Sequence, residues 1–249
     1  MLRTLCLLLL AAASATAHAG ELRILCWNLH HGVGEDNKLD LERIAKVISE
    51  QKPDLVALQE IDRKCSRTKG VDQAAELARL TGLQMTFGKA MDFDGGEYGQ
   101  VLLSRFPIAS TQVHKLPGDG EPRIAVEAEV KIDGKPLRMI SVHLDHQQDA
   151  RRLKQAEALA KVLENRHEPM VLAGDFNDVP DSATLTAFST QWKAAAKKEP
   201  KLTCPANKPS VEIDHILLRG LEKKEEVTVL PEAVASDHRP LFVVVKLPD

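Results

Sequence analysis

LRILCWNL (22–29), LDLERIAKVISEQ (39–51) and LVALQEI (55–61) follow one another near the start of the chain, and their order decides the architecture. The outer two are short runs of Leu, Ile and Val that read as strands. The middle one sets Leu41, Ile44, Ala45 and Ile48 on one face of a helix. Strand, helix, strand calls for parallel pairing through a helical crossover. AVEAEVKIDGKPLRMISVHL (125–144) demands the opposite, because Asp133-Gly134 between two alternating runs is a two-residue hairpin. Further strand-like runs are QVLLSRF (100–106), PMVLAGDF (169–176), EIDHILL (212–218) and PLFVVVKL (240–247). DQAAELARLTG (72–82), with Gly82 placed to end it, and DARRLKQAEALAKVLENR (149–166) read as two more helices. Mixed sheets covered by helices follow, an α/β (α+β) class. No linker or repeat divides the chain, so a single domain is expected over residues 20–249.

The 249 residues are 43% apolar and 28% charged, a composition that carries a core and excludes an intrinsically disordered chain. MLRTLCLLLLAAASATAHA (1–19) reads as a signal peptide: Arg3 gives a basic start, Leu5 to Ala13 an apolar run, and Ala17-His18-Ala19 a cleavage site. The apolar run is too short for a bilayer span. The expected mature chain is therefore exported, periplasmic or extracellular, and free of an integral membrane segment. Without Arg3 it has 32 basic against 36 acidic side chains, a net charge of −4. Cys26, Cys65 and Cys204 remain, and an odd number leaves at least one unpaired or bonded to another chain. Cys26 reads as a core thiol, and Cys65 with Cys204, both in loops, is the one pairing weighed. No Cys-x-x-Cys or His-Glu-x-x-His occurs, which disfavours a thiolate or zincin zinc site.

The polar residues of interest stand at strand ends, where α/β proteins bind ligands. They fall in WNLHHG (27–32), QEID (59–62), HLDH (143–146), GDFN (174–177) and SDHRP (236–240). Taken singly, Asn28 and Asn177 read as turn formers, Glu60 as a solvated charge, and His143 or His238 as a satisfied imidazole. Five tips that carry only Asn, Asp, Glu and His overturn those readings together. Mg²⁺ is a hard ion held by one or two carboxylates plus phosphate oxygens. Glu60 and Asp237 can supply the carboxylates and Asn28 an amide oxygen. Phosphoester hydrolysis then needs a base for water and neutralisation of developing charge. Asp175 can accept the water's proton, Asn177 can donate to a phosphate oxygen, and His143 and His238 can donate to the phosphoryl group.

The ordered set WNLHHG, LQEID, YGQVLLSRFPI, HLDH, GDFN, IDH and SDHRP resembles the endonuclease/exonuclease/phosphatase superfamily, the deoxyribonuclease I-like fold, from about Leu22 to Leu247. The resemblance implies a four-layer sandwich of two packed β-sheets flanked by helices. It implies Glu60 as principal metal ligand with Asn28 and Asp237, and Asp175 as the water-activating carboxylate. Asn177 would contact phosphate, His143 and His238 would bind it, and Asp214 would orient His238. Glu97 is expected to orient His143, and Arg123, just before a strand, to contact phosphate. Gln100 and His215 depart from the pattern, which shows Asn and an aromatic residue there.

The expected activity is that of a metal-dependent phosphoesterase or phosphodiesterase using Mg²⁺, with Mn²⁺ as an alternative ion. A small organic phosphate or lipid headgroup is favoured as substrate. Nucleic acid is the alternative: DNA binding rests on phosphate neutralisation by Lys and Arg, and this chain is acidic and only 4% aromatic. The lysines of KAAAKKEPK (193–201) and LEKKEE (221–226) read as solvated faces. A non-catalytic binding module is the third reading, and the completeness of the site argues against it.

Overall fold

The computed structural model describes residues 20–247, so the expected signal peptide lies outside the described residues. Among the described residues, thirteen strands run in chain order: β1 (Glu21–Asn28), β2 (Leu55–Arg63), β3 (Gln84–Phe93), β4 (Gly96–Ser104), β5 (Ile108–Lys115), β6 (Ile124–Ile132) and β7 (Lys135–His143), then β8 (Met170–Asp175), β9 (Lys193–Ala194), β10 (Asp214–Arg219), β11 (Glu222–Lys223), β12 (Thr228–Val229) and β13 (Leu241–Lys246). The α-helices are α1 (Leu41–Glu50), α2 (Gln73–Thr81), α3 (Asp149–Leu163) and the short α4 (Ala183–Thr186). One sheet has the order β11-β13-β1-β2-β4-β3, with β12 also on β13, and the other the order β5-β6-β7-β8-β10-β9. Both are mixed. β1 and β2 pair in parallel across α1, as the opening stretch requires, and β7 and β8 pair in parallel across α3. The β6–β7 hairpin turns at Asp133 and Gly134, both with positive φ.

Alternation along each strand builds the four layers. Leu22, Ile24 and Cys26 of β1 face inward with Val126, Ala128, Met139 and Val171 of the other sheet, forming the core between the sheets. Leu25 and Trp27, on the opposite face of β1, meet Ile44 and Ile48 of α1 and Leu77 of α2. Ile140, Val142 and Leu172 pack outward on Leu159 and Leu163 of α3 and Leu185 of α4. Asp40 caps α1 by accepting from the Arg43 amide, and Gly82, at φ +70, ends α2 in the left-handed conformation expected of it. β3 and β5 were not expected as strands. Most residues of β5 are exposed, so no apolar alternation announces it.

The core between the sheets is not wholly apolar. Gln59 Nε2 donates to Ser141 Oγ at 2.8 Å, and the Ser141 hydroxyl donates to Gln100 Oε1 at 2.6 Å. Gln100 Nε2 then donates to the Ile124 carbonyl at 2.8 Å. All three side chains are buried, and the chain of bonds runs from β2 to β7, back to β4, and across to β6. Gln100, the departure from the familiar pattern, is therefore a brace between sheets. Among the described residues the cysteines form no disulfide: Cys65 is buried and lies within hydrogen-bond distance of the Phe93 and Glu97 carbonyls, so its pairing with Cys204 does not occur. Among the described residues, no helix is long and apolar enough to cross a membrane.

Ser141→Ala removes the centre of the brace and leaves Gln59 and Gln100 short of a partner. Urea unfolding should show a loss of about 1–3 kcal/mol for each group left unpaired.

Candidate active site

Three adjacent strand ends set out one half of the site. His143 ends β7 opposite Asp175, which ends β8, and Asp175 stands opposite Asp214, which begins β10. Gly174 lets β8 approach this closely, since a Cβ there would lie 1.8 Å from the Val142 carbonyl oxygen. Asp175 Oδ1 accepts from the Asn177 amide at 2.8 Å, and Asn177 Nδ2 donates to the Leu144 carbonyl at 3.1 Å. These bonds hold Asn177 at φ +52. His238 arrives from the loop before β13. Its Nδ1–H donates to Asp214 Oδ2 at 2.9 Å, and its carbonyl accepts from Trp27 Nε1 at 2.7 Å.

The first sheet supplies the other half. Asn28 ends β1, fully buried. Its Nδ2 lies 3.1 Å from both Glu60 Oε1 and Asp175 Oδ2, tying the two sheets together at the site. Glu60 is displaced from strand alternation by a bulge: β2 uses one more residue than β4 between Leu58 and Ile61, and Glu60 takes φ +57. The Ser236 hydroxyl lies 2.7 Å from the Asn28 carbonyl and 3.3 Å from Asp237 Oδ1, which brings Asp237 to the same corner.

Asp175 Oδ2 is the focus. His143 Nε2 lies 3.6 Å from it and His238 Nε2 3.8 Å, from opposite directions of the chain. Burial pushes the Asp175 carboxyl well up from the ordinary range, with Asp214 adding to the effect. The two histidines diverge. Burial, with Arg123 and His238 beside it, drives His143 well below its usual value and keeps it neutral. Burial also opposes charge on His238, but the Asp214 and Asp175 carboxylates outweigh it and push His238 well up. Asp214, despite burial, is held low by that cation and its hydrogen bond.

Glu60, His143, Asp175, Asn177 and His238 line a cavity of about 340 Å³ together with Arg123, whereas Asn28, Asp214 and Asp237 lie behind that lining. Arg123 is 5% exposed, contacts His146 Nδ1 at 2.9 Å and Glu121 at 3.4 Å, and keeps Nε without a partner. A buried guanidinium lining the cavity offers a positive charge suited to an anion. The cavity is also lined by residues not expected at the site. Arg67 is held in bidentate fashion by the buried Asp62 and stacks over Phe93, its carbon centre 4.5 Å from the ring centroid. Met91 and Tyr98 stand beside it. Of the other polar residues in WNLHHG and HLDH, His30 and His146 line the cavity, whereas Asp145 accepts from the Gln147 and Gln148 amides and from Arg151, a structural role.

Glu97 is a correction. Its carboxylate pairs with Arg63 at 3.2 Å and Lys89 at 3.3 Å, outside the cavity, and it does not reach His143. Glu97 lies in β4, opposite Arg63 of β2 and Asp92 of β3, and not in a loop beside His143, so the role that the resemblance implied does not hold.

Asn28, Glu60 and Asp237 fit a hard divalent cation by chemistry. Glu60 and Asp237 offer carboxylate oxygen, and among the described residues neither takes part in an ion pair; Asn28 Oδ1 accepts from the His30 amide at 3.1 Å and would coordinate through its remaining lone pair. Asp175, Asp214 and His238 also come within 4.8 Å of one another. His238 Nδ1 and Asp214 Oδ2 are already bonded to each other, so that trio is a charged relay and not a metal cage.

The sequence profile described as "Endonuclease/Exonuclease/phosphatase family" matches residues 25–238. A UPF0294 protein of Vibrio parahaemolyticus is 27% identical, over 96% of this chain and 83% of its own. A functionally unknown conserved protein from Enterococcus faecalis has the same fold, with TM-score 0.78 and 21% identity, over 91% of this chain and 100% of that one. A mannosyl-6-phosphatase of Bacteroides thetaiotaomicron superposes with TM-score 0.76 at 19% identity, over 91% and 100% of the two chains.

Paired substitutions test which residues belong to the site. His143→Ala should lower phosphoester turnover about 10²–10⁴-fold, the range for a group acting on the transferring phosphoryl. Glu97→Gln should leave turnover within about twofold, because its two ion pairs are surface contacts outside the cavity.

Proposed function

Because this chain belongs to the endonuclease/exonuclease/phosphatase family, whose members are hydrolases of phosphoester bonds and generally depend on divalent metals, we propose that it is an exported, Mg²⁺-dependent phosphoesterase. The convergence of His143, His238 and Asn28 on Asp175 Oδ2 carries this reading. Glu60, Asp237 and Asn28 would hold the ion, with Mn²⁺ as a substitute. When bound, it would polarise a phosphoryl oxygen as a Lewis acid.

The chain's own residues do the rest. Asp175, its proton affinity raised by burial, takes a proton from the attacking water. Asn177 keeps one side-chain N–H on Leu144 and offers the other to a phosphate oxygen. Arg123 and neutral His143 donate to the phosphoryl group, which they orient without changing charge. His238, a cation stabilised by Asp214, faces the developing negative charge and gives its Nε2 proton to the leaving oxygen. One carboxylate gains a proton and one imidazolium loses one, so the site returns to its starting state by exchanging them through solvent.

The favoured substrate is a small organic phosphate or a lipid headgroup. A cavity of about 340 Å³ suits a headgroup, and the mature chain's acidic balance disfavours a long duplex, whose binding rests on phosphate neutralisation. Residues 1–19 support the export part of the proposal.

Release of p-nitrophenol from bis-p-nitrophenyl phosphate and p-nitrophenyl phosphate should depend on Mg²⁺ and stop with chelator. Asp175→Asn should lower it about 10²–10⁴-fold, and Glu60→Ala should abolish Mg²⁺ binding in calorimetry. No release from a broad phosphoester panel with Mg²⁺ or Mn²⁺ would refute the reading. Nicking of supercoiled plasmid, absent from Asp175→Asn, would instead move the assignment to a secreted nuclease.

A further inference from the structure

His215 follows Asp214 on β10 and takes no part in the chemistry above, yet it is 4% exposed and fully bonded. Its Nδ1 lies 3.2 Å from Lys197 Nζ, and its Nε2 lies 2.8 Å from the Asp178 carbonyl oxygen. An ammonium only donates and a carbonyl only accepts. The ring must therefore present a lone pair at Nδ1 and a proton at Nε2. Lys197 is itself buried and anchored by Glu212 at 2.6 Å, so the tautomer is imposed from behind. Burial, reinforced by the Lys197 charge, pulls the His215 pKa to about 3 and keeps the ring neutral.

The far side of His215 holds the catalytic turn at two points. The ring packs edge-on against Phe176, centroids 5.6 Å apart, and its N–H grips the carbonyl of Asp178. Between these two points lies Asn177, at φ +52, and just before them Asp175. Asp178 is also held by Arg152, whose Nε lies 3.2 Å from its carboxylate while Nη1 donates to the Asp145 carbonyl at 2.8 Å. The turn is thus fixed from α3 through a side chain and from β10 through the backbone.

We propose that His215, with its tautomer set by Lys197, is a positioning residue that holds Asn177 and Asp175 in their reactive placement. The inference rests on the phosphoesterase reading of the site. A phenyl ring at this position could keep the contact with Phe176 but, lacking a donor, could not hold the Asp178 carbonyl. Loss of that bond acts on the transition state, where small misplacements are costly, more than on substrate capture.

His215→Phe, His215→Gln and Lys197→Met separate these contributions, each measured for kcat, KM, melting temperature and hydrogen exchange over residues 175–182. His215→Phe should lower kcat about 10- to 100-fold with KM little changed, and should speed exchange in the 175–182 segment. His215→Gln, which can still donate to Asp178 and accept from Lys197, should recover most of the loss. Lys197→Met should resemble His215→Phe, and combining the two should add little. A His215→Phe enzyme with wild-type kcat would overturn the proposal. So would a Gln variant as slow as Phe at equal melting temperature, or unchanged exchange over 175–182. A wild-type protein without any activity would refute the phosphoesterase reading instead, and the exchange measurement would still judge the clamp.

Discussion

Glu60 and Asn28 stand on one sheet, and His143 and Asp175 on the other. Their meeting depends on a single relative register of two sheets that could otherwise slide over an apolar interface. Hydrophobic contact is non-directional, so the packing of Ile24 or Val126 does little to choose that register. The buried hydrogen bonds do choose it. Gln59, Ser141 and Gln100 can all be satisfied only at one alignment, and an unsatisfied member in this dry interior is costly. Gln59 immediately precedes Glu60, and Ser141 lies two residues before His143 on the same face of β7. The brace therefore fixes the register one step beneath the catalytic groups. Asn28, buried and bonded to Glu60 and Asp175 together, closes the same connection behind the cavity lining.

With the sheets fixed, the catalytic turns can hold conformations that an isolated chain would avoid. Glu60, Asn177, His30 and His31 all have positive φ, and all belong to the strand tips around the cavity. Such a residue costs on the order of 1–3 kcal/mol unless its surroundings enforce it. Glu60 is enforced by the bulge and by Asn28, and Asn177 by Asp175, Leu144 and the grip on Asp178. Strain and its restraints are thus found together, which is how a side chain is aimed away from ordinary alternation and kept there.

The strand tips were legible in the sequence because their chemistry is local. A polar residue bordering an apolar run is visible without knowing its neighbours: Asn28, Glu60, His143, Asp175 and Asn177 stand at the ends of such runs, and Asp214 and His238 just before or at the start of one. The parallel β1–β2 unit and the Asp133-Gly134 hairpin were legible for the same reason. Glu97 was misplaced because its partners, Arg63 and Lys89, are set by strand pairing, which is a long-range fact. Arg67 was missed because it sits in a polar loop, SRTKG, and acquires its place only through Asp62 and Phe93. His215 was seen as a departure, but its meaning lay in Lys197, eighteen residues away and in a segment that reads as a solvated face.

The two histidines show how far residue type falls short of role. His143 and His238 place Nε2 at nearly equal distances from one Asp175 oxygen, so geometry alone would give them the same work. Their surroundings separate them. His238 has Asp214 behind it and becomes a cation, whereas His143 faces Arg123, His146 and His238 and stays neutral. A second imidazolium beside His238 and Arg123 would be repelled by both, so the charge of one excludes the charge of the other. The pair thus divides into one proton donor and one orienting group. That division follows from a single carboxylate, Asp214, being able to reach only one of them.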